Sequence, residues 1–148
     1  MTRPGIFRRT RTVAARDVDA LGHVNNAVWV HLVVSLATAH TDALGYGLEA
    51  TRSLGGLWIV RRHEIDYYRS ARQGQTIVEE TWVSSMRGAR SVRCARFTDE
   101  DGAVLLGART DWAFVDESLS RPRRIPEAIL RGFPLVDEPI VPPTRPAP

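Results

Sequence analysis

Residues 25 to 44 leave this chain few ways to fold. Val28, Trp29, Val30, Leu32, Val33, Val34, Leu36, Ala37, Ala39 and Leu44 fall at helical spacing, and nothing interrupts them before Gly45, which suits the position just past a helix end. Asn25 and Asn26 are both good N-cap types, so the helix is predicted to begin at one of them. Its first half is apolar nearly all round, and such a helix has to be enclosed by other elements. Immediately before it, Arg16-Asp17-Val18-Asp19-Ala20-Leu21-Gly22-His23-Val24-Asn25-Asn26-Ala27 gathers two carboxylates, an imidazole, a glycine and two amide side chains into one short loop.

The rest of the pattern supplies the enclosure. Ile6 to Ala14 alternates weakly, with Phe7, Thr10, Thr12 and Val13 favouring a first strand. Tyr46 to Gly56, which carries Gly47, Gly55 and Gly56, reads as a loop. Leu57 to Arg69 is strand-like, with Leu57, Ile59, Ile65 and Tyr67 on one face and Trp58, Val60, Glu64, Asp66 and Tyr68 on the other. Strands are also predicted over Thr76 to Ser84, Arg90 to Thr98 and Val104 to Val115, and the short turns between them suggest a four-stranded antiparallel meander. A curved antiparallel sheet needs something on its concave face and the helix needs a cover. The predicted fold is therefore α+β: a five-stranded antiparallel sheet wrapped around one long central helix, in a single domain over residues 1 to 120. Residues 121 to 148 form an extension, with Pro122, Arg123 and Arg124 as a linker, a helical turn from Pro126 to Arg131 and a proline-rich, disordered tail from Pro139.

With 148 residues the chain is one domain by length. Its 20 basic residues are all arginine and the net charge is +3, which reads first as a solvated Arg-rich surface. A sharper reading has some of these planar, multi-donor side chains holding the phosphates of a nucleotide-bearing substrate. The basic residues are dispersed and no recognition motif accompanies them, which argues against a nucleic-acid binder. Cys94 is the only cysteine and sits in an alternating strand pattern, so it is expected to be a small buried hydrophobe rather than a nucleophile or a disulfide partner. No secretory h-region or membrane-length apolar run is present, and the protein is expected to be soluble and cytoplasmic, with no membrane partner. There is no Gly-rich phosphate loop or serine nucleophile elbow, and His23, His31, His40 and His63 are not spaced as a zinc site, so no metal or cofactor is expected.

The motif Asp-x-Asp-x-x-Gly-His-Val-Asn-Asn over residues 17 to 26, followed by an apolar helix bearing an aromatic, resembles the hotdog-fold thioesterases, in particular their 4-hydroxybenzoyl-CoA thioesterase-like and acyl-ACP thioesterase-like branch. The order strand, long helix, four strands extends the resemblance over about residues 6 to 116. It implies the hotdog fold, hydrolysis of acyl thioesters carried on CoA or an acyl carrier protein, and a homodimer or tetramer with sites at the subunit interface.

Thioester hydrolysis needs a carboxylate that attacks the carbonyl or activates water, and donors aimed at the developing oxyanion. A carboxylate loop leading into a helix N-terminus supplies both, because the first-turn amides are free and carry the positive end of the helix dipole. The resemblance places the catalytic acid on Asp19 and an oxyanion donor at the Asn26 backbone amide; the plainer reading of Asp19 is a loop carboxylate that caps backbone amides. His23 and Asn25 are candidates for orienting the reacting groups, though helix capping alone accounts for an Asn at 25 or 26. Glu64 is a second candidate carboxylate, its plainer role being a partner for Arg62. In the same resemblance, Tyr68, Arg69 and Arg72 are candidates for substrate binding. The plant acyl-ACP branch has an Asn where this chain has Leu21 and an acid-cysteine pair where it has Ser70-Ala71, so that branch's mechanism does not transfer whole. The competing functions are a hotdog hydratase, dehydratase or conjugate-addition enzyme, and a non-enzymatic acyl-binding module.

Overall fold

The computed structural model describes residues 3–118 and 120–142. Five antiparallel strands form one sheet: β1 (Phe7–Thr12), β2 (Leu57–Tyr67), β3 (Thr76–Arg87), β4 (Arg90–Thr98) and β5 (Val104–Val115). The helix α1 spans Asn26–Ala43 and lies on one face of that sheet, the hotdog arrangement expected from the sequence. Asn25 is its N-cap, the side chain accepting a hydrogen bond from the Ala27 N–H at 2.9 Å, and Gly45 follows its end at φ +83°, where a Cβ would be strained. Trp29, Leu32, Val33 and Leu36 point into the sheet beside Ile77, Phe97, Leu105, Leu106 and Ala108. Burying each of those helix side chains contributes about 1.5–3 kcal/mol, which is what holds the helix down.

The strand order is β1-β3-β4-β5-β2. The four-strand meander read from the sequence therefore shrinks to β3-β4-β5, and β2 crosses to the far edge to pair with β5, Tyr67 against Leu106 and Leu57 against Val115. Its connection to β3 runs back beneath the start of α1, where Ala71 is wholly buried and its carbonyl accepts the Val24 N–H at 2.9 Å. This crossing brings residues 68–72 to the motif loop.

A bulge in β2 corrects the face assignment. The register against β5 slips between Val60 and Arg62, so the strand shows α1 its even residues before Arg61 and its odd residues after. Trp58 packs on Phe114 at one end of the molecule, whereas Ile65 joins the core under α1 and the Tyr67 hydroxyl reaches the Asn26 carbonyl at 3.4 Å. Tyr46 to Gly56, read as a loop, contains a short helix, α2 (Leu48–Ser53), tied down by the buried Thr51, whose hydroxyl donates to the Leu48 carbonyl at 2.9 Å.

Beyond β5 the chain packs back on the sheet. The expected turn near Pro126 is α3 (Glu127–Gly132), and Ile125, Ile129 and Phe133 are buried against Val83 and Phe114. Val136 then donates its N–H to the Val83 carbonyl at 2.9 Å, covering β3 beyond the end of β1, and Ile140 lies near Trp82 and Cys94 on the opposite face. Cys94 is buried as expected, and burial pushes its thiol pKa up. The proline-rich tail from 143 onward lies outside the described residues.

Candidate active site

The motif loop is built by its own side chains. Ala15–Asp17 form a single turn of 3-10 helix, the Asp17 carboxylate accepts the Ala14 N–H at 3.0 Å, and the Asp17 carbonyl accepts the Asn25 N–H at 3.0 Å. Val18 then pairs with Val24 across a tight turn whose corner is Gly22 at φ +78°. Nothing stands within 4 Å of where a Gly22 Cβ would be, so backbone conformation alone asks for glycine there.

Asp19 closes that turn. Its Oδ1 accepts the Leu21 N–H at 2.9 Å and the His23 N–H at 3.2 Å, while its own N–H donates to the His23 carbonyl at 2.8 Å. The capping role is thus real, but it occupies one carboxylate oxygen; Oδ2 has no hydrogen-bond partner among the described residues. The carboxylate is held in one orientation with an oxygen to spare.

A cleft of about 240 Å³ opens at this point, and Asp19, His23, Asn26, Tyr68 and Arg69 all line it. Five residues chosen from sequence therefore meet in one place. The His23 ring forms no hydrogen bond with a described residue, and the backbone of His23 pairs with that of Arg72. The Ala27 amide is taken by the Asn25 side chain and the Val28 amide by the Asn25 carbonyl at 2.9 Å. The Asn26 N–H, first of the helix, has no intrahelical acceptor.

Asn25 and Arg72 stand beside the cleft rather than in its wall: the first caps α1, and the second is exposed with its N–H on the Gln75 side chain at 3.1 Å. Glu64 lies elsewhere. It alternates with Ile65 and so points away from α1, it is exposed, and it pairs with Arg62 at 3.1 Å, the partner its plainer reading named. Trp29, Tyr67 and Ser70 also line the cleft and were not singled out from the sequence. Trp29 reads there as part of the apolar helix, and Tyr67 as a residue of the apolar face of β2 beside Ile65, the face on which the structure also has it.

Comparison with known proteins bears on the family and the fold. The family model described as the acyl-ACP thioesterase N-terminal domain matches residues 4–133. The chain belongs to that family. It is 27% identical over 128 residues to the acyl-CoA thioester hydrolase YbgC of Escherichia coli O6:H1, a match covering 86% of this chain and 96% of the relative. Among solved structures, an acyl-ACP thioesterase from Bacteroides thetaiotaomicron superposes with a TM-score of 0.84 at 22% identity, over 97% of this chain. The chain spans only 58% of that protein's length. The Staphylococcus aureus protein SAV2348, solved in complex with CoA, superposes with a TM-score of 0.83 at 15% identity and covers 100% of this chain and 99% of its own. These two likenesses establish the shared hotdog fold.

Proposed function

We propose that this family member hydrolyses acyl thioesters carried on CoA or an acyl carrier protein, with Asp19 as the reacting carboxylate. One observation supports the assignment above the others: Asp19 is pinned through Oδ1 beside the N-terminus of α1, leaving Oδ2 free in the cleft. In this reading Oδ2 takes a proton from water as the water oxygen attacks the thioester carbonyl. The oxyanion that develops is met by the Asn26 N–H and the positive end of the α1 dipole. Collapse expels the thiolate, which recovers the proton, and a carboxylic acid and a free thiol leave. His23 stands at the same cleft to orient the thioester or the water, and Asn25 acts indirectly by capping the helix whose first amide is used. Tyr68 and Arg69 flank the acyl and pantetheine path, and the exposed Arg72 is placed to meet phosphates.

Two further parts of the proposal concern assembly and place. The free edge of β2 and the exposed Tyr67 and Tyr68 beside the cleft support a homodimer in which a second chain completes the groove, with pairing of dimers into a tetramer as an extension. No helix of the described residues is long and apolar enough to cross a membrane, and this together with the lone buried Cys94 supports our reading of a cytoplasmic enzyme.

The test is hydrolysis of a panel of acyl-CoA and carrier-protein thioesters by wild type, Asp19→Asn and Glu64→Gln, with thermal melts alongside. Asp19→Asn is expected to lose about 10² to 10⁴ in kcat with its melt intact, and Glu64→Gln to lose little. Near-normal turnover of Asp19→Asn would overturn the assignment, and a panel left intact by the wild type would favour the acyl-binding module.

A further inference from the structure

Strand β4 carries two buried arginines, and they are treated differently. Arg96, on the face away from α1, reaches Glu80 at 3.0 Å, Glu138 at 3.7 Å and the Pro139 and Ile140 carbonyls at 3.4 Å, and it stacks over Trp82 at 5.2 Å. Arg93, on the α1 face and only 7% exposed, has no carboxylate within ion-pair distance among the described residues. Its hydrogen bonds run from one terminal nitrogen, to His40 Nδ1 at 2.8 Å and to Thr81 Oγ1 at 3.3 Å, and both acceptors are uncharged at neutral pH. An unpaired buried cation is costly, which is why buried charges are ordinarily paired.

Arg93 lines a cavity of about 160 Å³ between the C-terminal half of α1, α2 and the ends of β2 and β5. The walls are aromatic, from Trp58, Trp112 and Phe133, and the Phe133 ring also lies 6.0 Å below the Arg93 guanidinium. Trp112 has a buried indole N–H with no acceptor among the described residues. So one partly open space joins flat apolar walls to a positive charge that no described carboxylate pairs with; Asp42, on the same wall, stands beyond ion-pair distance of Arg93. Its size is close to the roughly 150 Å³ of an apolar cavity that holds one benzene. It is remote from Asp19 of the same chain, because Thr41 on its rim lies about 22 Å along α1 from Asn26 at 1.5 Å per residue.

We propose that this cavity is a second binding site, for a compact aromatic group bearing a carboxylate, whose ring lies between Trp58, Trp112 and Phe133 and whose oxygens take the free N–H groups of Arg93. Such a group arrives either as a free aryl carboxylic acid or as the acid-bearing far end of an acyl group held by a neighbouring protomer.

Benzoate is the probe, titrated calorimetrically against the full chain, with benzyl alcohol as the uncharged control. We expect benzoate to bind with a dissociation constant at or below about 1 mM, as befits so small a ligand, and benzyl alcohol more weakly. Arg93→Met, which removes the charge, is expected to weaken benzoate about 10- to 100-fold and leave benzyl alcohol nearly unchanged. Met86→Trp fills the cavity and keeps Arg93, so it tests the site even if Arg93→Met fails to fold; it should abolish benzoate binding. Asp19→Asn should bind benzoate as wild type does, which separates this site from the hydrolytic one. To separate the two sources, hydrolysis of 4-carboxybenzoyl-CoA and benzoyl-CoA is compared: an acyl end seated here raises KM in Met86→Trp for the carboxylated thioester alone, while a free acid leaves both KM values unchanged. No saturable benzoate binding by the wild type, or binding that survives Met86→Trp undiminished, overturns the proposal.

Discussion

His40 shows what one buried side chain does to the pH response of the fold. It is 5% exposed, stacked on Phe7 and edge-on to Phe133, and its Nδ1 faces the Arg93 guanidinium, which has only donors. Nδ1 must therefore be the acceptor and the ring proton sits on Nε2. Burial first, and the Arg93 charge second, hold its pKa down from 6.5 to about 4. Between those values the unfolded chain carries the proton and the folded chain does not, so stability falls as pH drops from about 6.5 to 4 and this group adds no further loss below. The loss attributable to His40 is at most about 3 kcal/mol. His40→Gln keeps an acceptor for Arg93 and cannot titrate. Urea unfolding of both proteins at pH 7 and pH 5 should show a smaller drop in the variant, and equal drops would remove His40 as the cause.

Helix α1 is the element on which both sites depend, and its start is held by one side-chain bond. Asn25→Ala deletes the acceptor for the Ala27 N–H and should cost about 1 kcal/mol by urea unfolding, with Asn25→Asp restoring most of it. Because the Asn26 amide belongs to the same turn, kcat is expected to fall in Asn25→Ala and recover in Asn25→Asp; unchanged stability in both would show the cap to be dispensable. The helix was legible in the sequence, down to a cap at Asn25 or Asn26 and Gly45 beyond the end, because spacing and caps act within a few residues. Strand β2 was harder to read. Its bulge falls between Val60 and Arg62, so the strict alternation read from the sequence holds for Ile65, Tyr67 and Glu64 but puts Trp58 on the wrong face. Helix α2 was masked by the glycines around it, since its hold comes from burial of Thr51 in a tertiary setting.

At the scale of the whole molecule the exposed β2 edge makes the assembly testable. An unpaired edge strand invites a second copy, and Val60 is 36% exposed on it between Ile59 and Arg61. Sedimentation of the wild type is expected to show a species of twice the 16.5 kDa chain. Val60→Lys adds charge to a strand that already carries two arginines, and it should shift the protein toward monomer while lowering kcat/KM. A fully active wild-type monomer would falsify the dimer. The buried arginines belong to this scale too, since an Arg-rich composition reads as surface until β4 is seen to be buried on both faces.

What the sequence determined by itself was local: the loop from Asp17 to Asn26, the helix it leads into, the extents of β4 and β5, and the meeting of Asp19 with His23 and the helix start. Each depends on turns, caps and periodicities confined to neighbouring residues. The tertiary structure decided the rest. It sent β2 past β3 to pair with β5, turned Glu64 away from the cleft while bringing Tyr67 in, packed Ile125, Ile129 and Phe133 into the core, and left Arg93 beside His40 without an ion-pair partner among the described residues. Those outcomes rest on contacts between residues far apart in the chain, such as Leu57 with Val115 and His40 with Arg93, whose energies exist only once the sheet has closed over the helix.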